Sequence, residues 1–168
     1  MTRLPGIGGS LFPGQYLATA LPTTPGPPPD NGHLERRRRQ LERWWSAVAS
    51  ACGPATGLRA LFDDVAMPLF GVLGFRAGAV RFERTHASAR LDTPARVPVG
   101  VLITPWATRP SGAWRDVAAT ARAAGADWCF LLSPPFLSLV DARGQAARRS
   151  VEFTLPEVQT RSSFEPIW

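Results

Sequence analysis

The sequence predicts an α/β domain in which helices in the N-terminal third lead into a small mixed β-sheet with one crossover helix. Three observations predict it. Val97–Trp106 is a near-continuous apolar run, β-branched at several positions, as a strand buried on both faces would be. Ala113–Ala124 has helical spacing, with Trp114, Val117, Ala118 and Ala121 on one stripe; Ser111 stands where it can cap the helix and Gly125 where it can end it. Two more apolar runs follow, Trp128–Leu132 and Phe136–Val140, parted by Pro134 and Pro135. Strand, helix and strand at this spacing imply a parallel pair joined by a right-handed crossover. Asp141–Gly144 offers a further turn, and Val151–Leu155 a last strand.

Upstream, residues 1–32 read as an N-terminal arm and Pro-rich linker, and residues 33–168 as a single α/β domain. Met1–Ser10 is Gly-rich and expected to be a loose arm. Its glycines are no phosphate loop, because no strand precedes them and no helix with Lys-Ser/Thr follows. Leu11–Leu21 has the spacing of a short amphipathic helix with Phe12, Tyr16, Leu17 and Leu21 inward, and Pro22–Gly32 that of a linker. A long helix is predicted over Leu34–Ala51, where Leu34, Leu41, Trp45, Val48 and Cys52 make an apolar stripe; Gly53 and Pro54 end it. A second helix starts near Gly57 with Leu58, Leu61, Phe62 and Val65 as its core face. Pro68 predicts a kink or a restart in that helix, since it lacks the N–H the ladder needs. Ala79–Phe82 opens the sheet, and His86–Leu91 is its return strand.

Composition narrows the function classes. At 168 residues, 45% hydrophobic and with six Trp, the chain has enough apolar surface for a real core. No run approaches a membrane span, and no charged segment followed by an apolar stretch opens the chain, so a cytoplasmic location is the expectation. Cys52 and Cys129 are far apart and read as reduced thiols. With two His and no Cys/His cluster, a zinc site is not expected. The net charge of +6 is carried by Arg alone, for the chain has no Lys. Chemistry that needs a lysine ammonium is therefore excluded. Because Ala, Arg, Gly and Pro are abundant throughout, part of that charge reflects GC-rich coding rather than an anionic partner.

The order of these segments resembles a known family. Two helices ending at Val72–Phe75 lead into a sheet; the Trp-led strand Trp128–Leu132 pairs with one ending in Leu139–Asp141; then come Val151–Leu155 and a terminal Phe164–Trp168. This resembles the N-terminal nuclease-like region of type IIG and BREX-associated restriction–modification methylases, in which a WGILTNG…WRLY hairpin precedes an EFDL strand and a F..FW segment. The likeness spans about Leu11 to Trp168. It implies a restriction-endonuclease-like core, whose active PD-(D/E)XK form carries one Asp near the end of the second strand and a (D/E)-x-Lys on the third. Those carboxylates hold Mg²⁺ against the scissile phosphate, and the Lys helps to position the attacking water.

The sequence departs from that pattern on the third strand. Asp92 is the vestigial match to the first Asp, but Val99–Trp106 carries neither carboxylate nor Lys. The resemblance then implies a nuclease fold without nuclease chemistry and without cofactor, serving DNA association or docking to a methylase subunit in a restriction–modification or phage-defence system. The alternative is a Mg²⁺-dependent endonuclease with relocated ligands at Glu83, Asp92 and Asp116, where Arg would clamp phosphate but not act as a base. A third possibility is a small protein-interaction domain unrelated to DNA. The expected partners are duplex DNA and a DNA adenine methylase subunit or domain, with no membrane. The chain stops where the family continues toward its methylase domain, which implies a split subunit, an excised domain or a truncated frame, docking through Phe164–Trp168.

The candidate nucleic-acid contacts are Arg36, Arg37, Arg38, Arg39 and Arg43 on the long helix. A solvated outer face competes with that reading, because Glu35 precedes Arg39 by four residues and Arg38 precedes Glu42 by four. Ser133–Phe136 mimics the (N/D/S)-P-P-(Y/F) loop of amino-methyltransferases, but the Gly-rich turn such an enzyme needs is missing, so a turn between strands is expected. Trp44, Trp45, Trp106 and Trp114 suit a base-stacking surface, yet core packing explains them more simply. His86 beside Glu83 reads as a surface strand residue.

Overall fold

The computed structural model describes residues 6–12, 31–93, 97–108, 112–143 and 149–158. A seven-stranded mixed sheet forms its spine. In chain order the elements are β1 (Ile7–Gly9), α1 (Asn31–Ala51), α2, β2 (Arg76–Phe82), β3 (Ala87–Asp92), β4 (Pro98–Ile103), α3 (Trp114–Ala124), β5 (Trp128–Ser133), β6 (Phe136–Asp141) and β7 (Ser150–Thr154). The helix called α2 joins three segments, Leu58–Ala60, a π-type stretch Leu61–Ala66, and Met67–Val72. The strands lie in the order β1-β7-β6-β5-β4-β3-β2. All neighbours are antiparallel except β4 and β5, which are parallel and joined through α3.

β4 is the strand the sequence marks most clearly. Val99, Gly100, Val101, Leu102 and Ile103 are all buried, because helices cover both faces of the sheet at its centre. Alternate side chains serve two cores. Val99, Val101 and Ile103 pack with Ala87, Ala89 and Leu91 of β3 beneath α1 and α2. Leu102 packs on the other face with Cys129 and Leu131, against Val117 and Ala121 of α3. Full burial of a side chain such as Leu102 contributes about 1.5–3 kcal/mol. Gly100 lets α3 approach closely: a Cβ there would lie 3.2 Å from the Cα of Ala121 and 3.2 Å from the Cys129 sulfur.

Pro68 falls in the first turn of the Met67–Val72 segment, the restart that its missing N–H allows. The π-type stretch lies just before it, with the Met67 N–H bonded five residues back to the Phe62 carbonyl. That wider turn relieves the contact between the proline ring and the carbonyl four residues back. Leu61, Phe62, Val65 and Ala66 all turn inward, while Asp63 and Asp64 stay exposed.

Several expectations are corrected. The Gly-rich start is no loose arm over residues 7–9, which pair antiparallel with β7 at the edge of the sheet. The long helix begins at Asn31, so a boundary after residue 32 cuts its first turn. Its buried aromatic is Trp44, whose indole N–H donates to the Val65 carbonyl at 3.1 Å; Trp45 is only half-buried. α3 starts after Ala113, with no side-chain cap hydrogen bond from that residue, and its buried face is Val117, Thr120, Ala121 and Ala124 rather than Trp114 and Ala118. Ser111 and Gly144 lie outside the described residues, as do residues 13–30, over which most of the short amphipathic helix and the linker were expected. Leu11 and Phe12 are not helical. Gly125 does end α3, in the left-handed conformation at φ 65°.

Candidate nucleic-acid interface

The run from Glu35 to Trp45 sorts its side chains by direction, because each residue advances about 100° round the helix. Leu41, Trp44 and Val48 face the core. Arg38 and Arg39 turn toward acidic neighbours. Arg38 meets both carboxylate oxygens of Glu35, at 2.9 and 2.8 Å, and also reaches Glu42; Arg39 meets Glu35 at 2.9 Å. The Arg38 and Arg39 guanidiniums hold the Glu35 carboxyl at about 2, well below its ordinary 4.5. These two arginines are neutralised in place.

Arg36, Arg37 and Arg43 have a different environment. With Gln40 they line an open groove of about 850 Å³ between α1 and the C-terminal end of α2, whose opposite wall is Pro68 and Gly71. Arg36, Gln40 and Arg43 are spaced by four and three residues, which aligns them on one stripe. Arg37 donates to the Val72 carbonyl at the end of α2, where a cation suits the exposed carbonyls. Arg36 and Arg43 use their Nε atoms on backbone carbonyls of their own helix, Gly32 at 3.1 Å and Arg39 at 3.3 Å. Neither forms an ion pair among the described residues. The arginine run is thus split between a solvated, ion-paired edge and a basic groove.

The carboxylates do not assemble. Among the described residues no three His, Cys, Asp or Glu side chains are grouped to hold a metal ion. Glu83 lies in the turn before β3, 3.6 Å from the His86 imidazole, and Asp92 lies at the far end of that strand, bound to Arg90 at 2.9 Å. The strand between them is about 17 Å long. Asp116 sits in the first turn of α3. Asp92 is opposite Pro98 in the ladder, so the β4 positions sharing its face are Pro98, Gly100 and Leu102. None of these offers an oxygen-bearing side chain.

The remaining candidates are structural. Ser133 is buried and donates its hydroxyl to the Pro105 carbonyl at 2.9 Å, and Pro134–Pro135, joined by a cis bond, turns β5 into β6. Trp45 stacks on Trp106 at 6.4 Å, and Trp114 packs against the α3 core, so the tryptophans offer no common stacking surface. His86 is partly buried. Phe164–Trp168 lies outside the described residues. Sequence reasoning missed Gln40, although its spacing from Arg36 and Arg43 was a usable signal. It also missed Arg76, Arg81 and Arg90, which the β2–β3 ladder brings to one sheet face. No helix among the described residues is long and apolar enough to cross a membrane. Comparison with known protein families, with curated proteins and with solved structures finds no match.

Proposed function

We propose that this chain is a catalytically silent nuclease-like module of a restriction–modification or phage-defence system, which holds the phosphate backbone of duplex DNA in the groove between α1 and α2. The observation that carries the reading is the alignment of Arg36, Gln40 and Arg43 beside Arg37, with Arg36 and Arg43 outside any ion pair among the described residues. Guanidiniums in such a groove suit phosphate oxygens, because their planar forks donate in pairs. The restriction-endonuclease-like part of the proposal draws support from topology. Helices precede an antiparallel β2-β3-β4 meander, and α3 then leads to a strand parallel to β4. Asp92 ends the second strand of that meander, where the resemblance expects the first carboxylate. The silence draws support from β4, which presents Pro98, Gly100 and Leu102 on the Asp92 face, and from the absence of Lys in the chain. A DNA adenine methylase subunit or domain is the partner proposed with it.

A salt series with a labelled duplex tests this. Association is expected to weaken steeply with salt, and Arg36→Glu/Arg43→Glu to lower the log–log slope by about two, roughly 0.9 per lost phosphate contact. Cleavage in Mg²⁺ or Mn²⁺ that disappears in Asp92→Ala would overturn the silence and favour the relocated-ligand endonuclease. Absence of duplex binding at low salt would instead favour the interaction domain. A groove of about 270 Å³ lined by Leu73, Phe75, Leu139 and Phe153 is the feature that supports that second reading.

A further inference from the structure

We infer that the chain carries a second, metal-independent phosphoryl-binding groove, on the sheet face opposite α1 and α2, where the exposed side of β2–β3 meets α3. The ladder pairs Arg81 with Ser88 and Arg76 with Asp92, so these side chains and that of Arg90 share one face. The alternate residues Ala87, Ala89 and Leu91 belong to the core beneath α1 and α2, which puts the arginines on the other side. α3 covers β4 and β5 on that side and leaves the β2–β3 arginines beside its flank. The result is a groove of about 170 Å³ lined by Arg81, Ser88, Arg90, Thr120 and Ala124.

The chemistry of the lining selects the ligand. Arg81 and Arg90 line the groove, Arg76 lies outside it on the same face, and the one carboxylate these two strands place there, Asp92, is held by the Arg90 Nε at 2.9 Å. Arg90 also donates to the Ala124 carbonyl at 3.3 Å, at the end of α3. Those two bonds fix the guanidinium against the groove while using only part of its five-donor fork. Arg81 and Arg76 form no ion pair among the described residues. Two hydroxyls, of Ser88 and Thr120, add polar groups to a lining that Ala79, Ala89, Ala123 and Ala124 otherwise make apolar. Guanidiniums with hydroxyls and little opposing charge fit the tetrahedral oxyanion of a phosphate ester. No divalent ion is required, because Arg81, outside any ion pair among the described residues, supplies the charge, and Arg90, paired with Asp92, supplies further N–H donors. The choice of a nucleotide or nucleic-acid strand as the bearer of that phosphate rests on the proposed function; the groove itself does not.

The test follows backbone amides of the full chain in EDTA, during titration with inorganic phosphate, a 5′-mononucleotide and a short DNA oligonucleotide. Amides of Ser88, Arg90, Thr120 and Ala124 are expected to shift with all three. Arg81→Glu is expected to weaken oligonucleotide binding by about tenfold, as loss of one charge-assisted contact would, with the amide spectrum of a folded chain retained. Unmoved β3 amides, or an Arg81→Glu chain that binds like the parent, would overturn the inference. The two grooves are read separately. Shifts confined to Arg36–Trp44 would sink this groove and leave the proposed function standing. Shifts at Ser88–Arg90 with Arg36–Trp44 silent would support this groove and sink the α1 contact.

Discussion

Glu35 shows how one carboxylate decides what its arginine neighbours are available to do. It binds Arg38 and Arg39 at once, and those guanidiniums, Arg38 first, keep it ionised down to about 2. Its folded value lies below its ordinary 4.5, so its stabilising contribution is fully present above 4.5 and is lost as pH falls through about 2. That contribution is small, because the cluster faces solvent. The expected carboxyl titration of Glu35, followed by NMR, has its midpoint near 2, and Arg38→Ala returns it toward 4.5. A midpoint already at the ordinary value in the parent chain would show that the cluster does not hold in solution. Arg36 and Arg43 lie outside this cluster, which is why the groove and not the whole run is the candidate interface.

Elements depend on two glycines for different reasons, and the difference is measurable. Gly125 ends α3 with φ 65°, and a Cβ there would meet nothing within 4 Å. Its replacement by Ala is expected to cost about 1–2 kcal/mol through backbone strain alone. Gly100 has no such strain, but a Cβ would press on the Cα of Ala121 at 3.2 Å. Gly100→Ala is expected to cost about 1–3 kcal/mol by pushing α3 from the sheet. Chemical denaturation measures both, and near-ultraviolet circular dichroism separates them: only Gly100→Ala should alter the packing signal of Trp114, which sits on the α3 core. Equal, unchanged signals would mean that the added methyl group is accommodated without moving α3. The π-type stretch of α2 belongs to the same scale, since it carries the core face past Pro68 without a break.

Across the whole molecule, the two ends of the described chain meet. β1 closes the sheet edge against β7, the Thr154 N–H donates to the Gly6 carbonyl at 2.7 Å, and Ser10 and Leu11 N–H groups both reach the Ser150 carbonyl. Gly9, at φ 110°, lies so close to Ser150 that any side chain would collide with its carbonyl. Removing residues 1–12 is expected to leave the sheet folded while speeding hydrogen exchange at Thr154 by at least about tenfold, as an edge strand loses its cover. Unchanged exchange there would mean that β1 does not protect β7. The two basic grooves lie on opposite faces of this sheet, so a single ligand surface cannot account for both.

Much of this architecture is legible in local sequence. The apolar run of β4, the stripe and terminal glycine of α3, the Pro-Pro turn after Ser133 and the long α1 each rest on periodicity or backbone chemistry within a few residues, which need no knowledge of what packs where. Tertiary structure alone decided the rest. Trp44 rather than Trp45 joins Leu41 in the core because α2 lies on that side of α1. Residues 7–9 form a strand because β7, some 140 residues away in sequence, offers them an unpaired edge. Arg76, Arg81 and Arg90 share a face only after a bulge between Ala77 and Val80 resets the register of β2. Sequence determined which segments bury apolar surface; the fold decided which charges end up side by side, since that depends on partners distant along the chain.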